Sequence, residues 1–193
     1  MDLTTLADLK AWLNISSTTD DALLTRLITA VSGWVARYLN RSLGSASYDE
    51  FYDGSGGQLL VLRQFPVTAV ALVAVDTITI PPAPDTVSPG WRLVPPAPDL
   101  SGPGQPGQLI LSGYVFHRGL GNVEVKYTAG YSSVPGELEQ AAIELCALGY
   151  AGRTRIGESS KALPGGLGTV AYLKDIPPGI MQVLNRYKRV API

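Results

Sequence analysis

The sequence is poor in the groups that most often do chemistry. Of 193 residues, one is a cysteine and one a histidine. A single thiol, Cys146, excludes an intrachain disulfide, and a reducing cytoplasm fits. His117 has no histidine or cysteine nearby to complete a metal-ligand set or a nucleophile–base pair, so neither a metal nor a cofactor is expected. Charged residues make up only 16% of the chain, which leaves a surface thin in charge. No run of about 20 apolar residues is present, so no membrane-spanning helix is expected. The start, with Asp2 and Asp8, lacks the basic residues and apolar run of a signal peptide.

Catalytic signatures are scarce too. There is no Gly-x-Ser-x-Gly elbow and no Gly-Lys-Ser/Thr of a phosphate loop. Residues 102–107 carry the glycine spacing of a dinucleotide fingerprint, but Pro103 and Pro106 fall within it and no helix can open there. Asp49, Glu50 and Asp53 read as charges exposed along a strand. Cys146 falls on an apolar helix face, where a packed thiol is expected. The body lacks the basic stripe that phosphate binding requires. These gaps point to a protein that binds and assembles, not to an enzyme. One reading of another class stays open: a small-ligand-binding or hydrolytic domain with a site near His117, Arg118 and Asp49.

What is present is apolar pattern, at 46% hydrophobic residues. Leu6, Leu9 and Leu13 mark a short helix over 3–13, capped by Thr4 or Thr5. A long helix is expected over 20–40, with Thr18 as its cap and Leu24, Leu27, Ile28, Val31, Val35 and Tyr38 at helical spacing. Leu23, Trp34 and Leu39 widen that stripe until it can serve two neighbours. From Tyr48 to Tyr127 short β-branched runs alternate with turn residues, among them 53–57, and Val123, Val125 and Tyr127 alternate with polar positions. Residues 81–107 are a long proline- and glycine-rich loop, with a short strand at 91–94. Pro135 opens a third helix, ending near Gly149 or Gly152. Residues 153–175 read as a flexible connector, and Pro177-Pro178 starts a last helix. Charge is uneven along the chain: residues 1–149 hold 8 Lys/Arg against 14 Asp/Glu, and residues 150–193 hold 7 against 2. Such an imbalance guides assembly with a partner of opposite sign.

The succession of elements resembles the head–tail connector (adaptor) proteins of long-tailed phages, in particular longer members with a β-rich insertion. Leu6 to Leu13 followed by Thr19 to Leu24 is similar to that family's opening helix pair. Phe65-Pro66-Val67-Thr68-Ala69-Val70 is similar to its strand after a proline. Tyr127 to Tyr131, Val134-Pro135 and Ala141-Ala142-Ile143 resemble its strand-to-helix junction, and Leu184 to Arg189 its basic tail. The resemblance implies an α+β fold. Its adaptor core would be mainly helical, one long helix plus two to three shorter ones, with an inserted small antiparallel β unit. Residues 1–152 would be the body, with 48–129 as the insertion, and 153–193 a flexible connector and helical arm.

The resemblance also implies a homo-oligomeric ring in the virion neck, commonly of twelve subunits, assembled in the host cytoplasm. It would bind the portal protein on one side and a stopper or tail-completion protein on the other. DNA would pass its lumen without sequence-specific contacts, and no membrane is involved. A stopper or tail-completion protein of the same virion is the alternative. Ile180, Leu184, Arg186, Tyr187, Lys188 and Arg189 are the expected portal contacts. Leu23, Leu27, Val31, Trp34 and Tyr38 are the expected contacts between subunits, and Glu137, Glu139 and Glu144 the acidic lining of the lumen.

Overall fold

The structure, a computed structural model, describes residues 1–94, 107–154, 160–162, 169–171 and 176–189. The chain divides into two compact units. One comprises Met1–Asn40 with Val134–Ile193, the other Arg41–Ser133.

The first unit is helical. Helix α1 (Leu6–Leu13) starts at Thr5, whose side chain accepts from the Asp8 N–H, and ends on Asn14 in the left-handed conformation. Helix α2 (Asp21–Leu39) ends the same way on Asn40. Asparagine suits that position because its short polar side chain tolerates positive φ. The expected Thr18 cap is not made. The N-cap is Asp20, without a side-chain cap bond. Its carboxylate instead accepts from Tyr150 Oη and faces Arg153, 3.9 Å away, so a tertiary contact outcompetes the local one.

Helix α3 (Gly136–Gly152) packs its small-residue face on α1 and α2. Leu9, Leu24, Ile28, Ile143 and Cys146 form the shared core. Helix α4 (Pro178–Tyr187) packs on α3 and α2, and strands β8 (Ser160–Ala162) and β9 (Thr169–Ala171) form an antiparallel pair. The flexible connector expected over 153–175 therefore contains a two-stranded ladder. Its segments 155–159, 163–168 and 172–175 lie outside the described residues.

The second unit corrects the expected fold class. It is not a small insertion on a mainly helical core but a unit with two antiparallel sheets and its own interior, nearly half of the chain. Strands β1 (Ala46–Gly54), β3 (Val67–Val75), β4 (Ile78–Thr79) and β7 (Gly119–Ala129) form one sheet in the order β1-β7-β3-β4. Strands β2 (Leu59–Val61), β5 (Gly90–Val94) and β6 (Gln108–Ser112) form the other in the order β2-β6-β5. On β7, Val123, Val125, Tyr127 and Ala129 are buried and alternate with half-buried Glu124, Lys126 and Thr128, the period of a sheet with one face inward. They meet Val73 and Val75 from β3, Leu109 and Leu111 from β6, and Phe116. The small extent expected for this unit came from short, separated runs. Pairing of β7 with both β1 and β3 joins those runs into one sheet, and local sequence cannot announce such long-range pairs.

Two glycines are required by close approach. Gly130, at φ 112°, would place a Cβ 2.3 Å from the Gly44 carbonyl oxygen. Gly90, at φ 144°, would place one 2.5 Å from the Pro81 oxygen, where residues 81–83 lie along β5.

Candidate functional site

Helix α2 carries the broadest apolar stripe, and its two flanks differ. Leu24, Ile28, Val35 and Leu39 are buried together with Ser32. Ser32 Oγ accepts from the Leu3 N–H at 2.9 Å, so the one polar residue of the inner face is satisfied. Leu23, Leu27, Val31, Trp34 and Tyr38, the expected subunit contacts, are all half-buried. Val31 packs against the core of the unit and Leu27 faces Gly149 on α3. Trp34 and Tyr38 stack at 5.5 Å between ring centroids. The structure thus gathers these five residues along the margin of the buried stripe, half covered and half in solvent.

Helix α4 meets the far end of that margin. Tyr38 Oη donates to Asn185 Oδ1 at 2.7 Å. Lys188 Nζ lies 4.7 Å from the Tyr38 ring centroid, within the range of a cation–π contact. The Arg189 N–H donates to the Leu39 carbonyl at 3.0 Å, satisfying an orphan carbonyl at the end of α2. Sequence reasoning did not find this joint. Tyr38 and Asn185 are 147 residues apart, and no local pattern links them.

The residues expected to contact the portal split in two. Ile180, Leu184 and Tyr187 are buried, at 4%, 0% and 3% exposure. They hold α4 on its own unit, so they are not open to a partner while α4 stays docked. Amphipathic spacing reveals a buried face but not which body covers it. Arg186 and Lys188 are exposed and Arg189 is half-buried.

The three expected lumen residues sit on α3. Glu137 is exposed, 3.8 Å from Arg186 Nη1 and 3.5 Å from the Tyr187 hydroxyl. Glu144 accepts from Gln140 Nε2 at 2.9 Å, and Glu139 is half-buried. Glu137 and Glu144 line a groove of about 460 Å³ between α3 and α4, with Arg186 on its other wall.

His117, Arg118 and Asp49 do not converge. His117 Nδ1 pairs with Asp76 Oδ2 at 3.0 Å, Arg118 Nε donates to the Ser55 carbonyl, and Asp49 pairs with Lys126 at 3.0 Å. The Asp76 carboxyl is held below its usual range, first by the Asn122 amide and then by His117. Cys146 is buried, and burial pushes its thiol up to about 11, which leaves it a poor nucleophile at neutral pH. Among the described residues no three His, Cys, Asp or Glu side chains are placed to share a metal ion. None of their helices is long and apolar enough to cross a membrane.

A model of the head completion protein family (HCP) matches residues 2–190. No match is found among curated proteins. Solved structures share the fold. A chain in the neck of an empty gene transfer agent (GTA) particle with C6 symmetry is 22% identical, with a TM-score of 0.55 over 99% of this chain and 92% of that one. A chain in the neck of the native particle with C12 symmetry is likewise 22% identical, with a TM-score of 0.55 over 97% and 90%. A chain of the native GTA virion gives 0.52 over 99% and 92%.

Proposed function

The chain belongs to the head completion protein family and is a structural head–tail connector; from that premise we propose that it forms a ring in the neck of the particle, binds the portal protein on one side and a stopper or tail-completion protein on the other, and lets DNA slide through without reading it. The observation that carries this reading is the family match over nearly the whole chain. The necks whose chains share the fold have C6 and C12 symmetry. The half-buried margin of α2 supports the ring. Leu23, Leu27, Val31, Trp34 and Tyr38 offer apolar surface that a second copy can cover, and a repeated heterologous contact closes a ring when its rotation permits.

Arg186, Lys188 and Arg189 then serve as the portal contacts, pairing with acidic groups while Ile180, Leu184 and Tyr187 stay in the core. Glu137, Glu139 and Glu144 supply negative charge to a lumen that DNA must not adhere to. The chain acts by binding and not by turnover.

Charge reversal of Arg186, Lys188 and Arg189 to Glu tests the portal role without touching the buried face of α4. The expected outcome is a folded subunit, by circular dichroism, that no longer pulls down portal protein. Retained portal binding in that variant removes the role assigned to these residues. Deleting everything after Gly168 is a poorer test, because it also strips three buried side chains from the helical unit.

A further inference from the structure

The β unit holds a groove that the ring reading does not use. It measures about 400 Å³, with Val75 and Ile80 in its floor and Gln58, Ile78, Tyr114 and His117 on its walls. Ile78 is 66% exposed and Tyr114 38%, so apolar surface lies open around an apolar floor. The groove is also rigid. Asp76 and Thr77 form the two-residue turn between β3 and β4, both at positive φ, as a tight hairpin turn requires. Asn122 binds that turn from two sides. Its carbonyl accepts from the Asp76 N–H and its amide donates to Asp76 Oδ1. His117 holds the other Asp76 oxygen. Ile78, directly after the turn, is therefore fixed in place, and a fixed site loses little entropy on binding.

A fitting occupant leaves the end of the β5–β6 pair opposite the groove. Residues 95–106 number twelve, five of them proline, and begin Pro95-Pro96-Ala97-Pro98-Asp99. Proline-rich segments dock in grooves lined by aromatic and apolar side chains, with polar side chains donating to their carbonyls. Tyr114, Ile78, Gln58 and His117 supply that set. The same five residues occur at Pro81-Pro82-Ala83-Pro84-Asp85. There the Trp91 N–H donates to the Pro81 carbonyl and the Ala83 N–H to the Trp91 carbonyl, so this pentapeptide can lie extended on an apolar edge.

Geometry favours a second copy over the chain's own segment. The segment joins Val94 to Gly107, whereas the groove adjoins Gly113, beyond the other end of the β5–β6 pair. A five-residue strand is about 17 Å long. Twelve residues span at most about 40 Å, or about 20 Å out and back. A chain reaching its own groove would be taut, with nothing left to lie in it. Groove at one end and segment at the other is the arrangement a head-to-tail contact needs.

We propose that the Ile78–Tyr114 groove of one copy receives residues 95–106 of the next, so that the β units as well as α2 link neighbouring copies. This rests on the ring reading above.

The probe is a synthetic peptide of residues 94–107, titrated into the isotope-labelled full chain and followed by NMR. Saturable shifts are expected at Ile78, Tyr114 and His117. Ile78→Ser in the protein, or alanine in place of the three prolines 95, 96 and 98 in the peptide, should each weaken binding about tenfold or more, as loss of an anchor does. No saturable shift at the groove overturns the proposal. So does binding that appears only after the chain's own 95–106 is replaced by an equal length of Gly/Ser, because the groove is then filled from within. Native mass measurement of the purified neck tests the ring separately. A chain that closes a ring but whose free subunit ignores the peptide sinks only this contact, and peptide binding by a chain that never closes a ring sinks only the ring.

Discussion

In the β unit, Val73, Val75, Leu109, Leu111, Phe116, Val123 and Val125 reach a common interior from segments far apart in sequence, and a polar knot is built in beside them. Glu50 accepts from both Tyr52 and Tyr127, whose hydroxyl oxygens also accept from the Arg63 and Gln64 N–H groups. In the helical unit Leu9, Leu24, Ile28, Ile143 and Cys146 form a core cluster brought together by three helices. Its last element is held by three buried side chains and a few surface bonds. The contrast is one of redundancy. Strands β1 and β7 are fixed by ladder bonds, burial and the tyrosine knot together, whereas α4 is fixed by one apolar face and a few bonds near its end.

That contrast can be broken first at the β core. Phe116 is fully buried, and both its N–H and its carbonyl bond to the turn at Gly56 and Gly57. Phe116→Ala should cost about 3–5 kcal/mol, read by denaturant titration. A loss under about 1 kcal/mol would show the β interior to be no more demanding than a surface.

Next comes Leu184→Ala on α4, fully buried, with an expected cost of about 2–5 kcal/mol. Cys146 makes the helical unit's opening visible, since it is buried and its thiol is pushed up to about 11. The variant's thiol should react with a disulfide reagent at least about tenfold faster than the parent's, given that each ~1.4 kcal/mol of easier opening is a factor of ten. An unchanged rate would mean that α4 does not guard this core.

The smallest effect concerns pH and falls on the β unit. Burial, and then the hydrogen bond to Glu50, push Tyr52 up from 10.0 to about 12, and burial pushes Tyr127 further the same way. Both favour the neutral phenol in the folded state. Their contribution is full below pH 10.0 and is lost as pH rises through the folded values. Stability of the β unit should decline above pH 10, and Tyr52→Phe should flatten that decline. A Phe variant with the parent's alkaline profile would detach the knot from stability.

Much of this was legible residue by residue. Thr5 caps α1, Pro178 sits in the first turn of α4, and the two-residue alternation on β7 matches its burial. The half-buried margin of α2 follows from a stripe too wide for one neighbour. The turn at Asp76-Thr77 was not legible, because threonine is a poor residue for positive φ and sequence gives no hint of the Asn122 and His117 bonds that hold it. Nor was the burial of Ile180, Leu184 and Tyr187 within their own unit, since an amphipathic face names no partner.

By itself, then, the sequence determined the helices and the alternating strands. All of these depend on residues within a few positions of one another. Tertiary structure alone decided that the β runs close into two sheets around one interior, that Asp20 leaves its cap for Tyr150 and Arg153, and that α4 docks beside Tyr38. Each of these joins groups distant in the chain, and the free energy that selects among such pairings comes from burial and hydrogen bonding that exist only once the chain has folded.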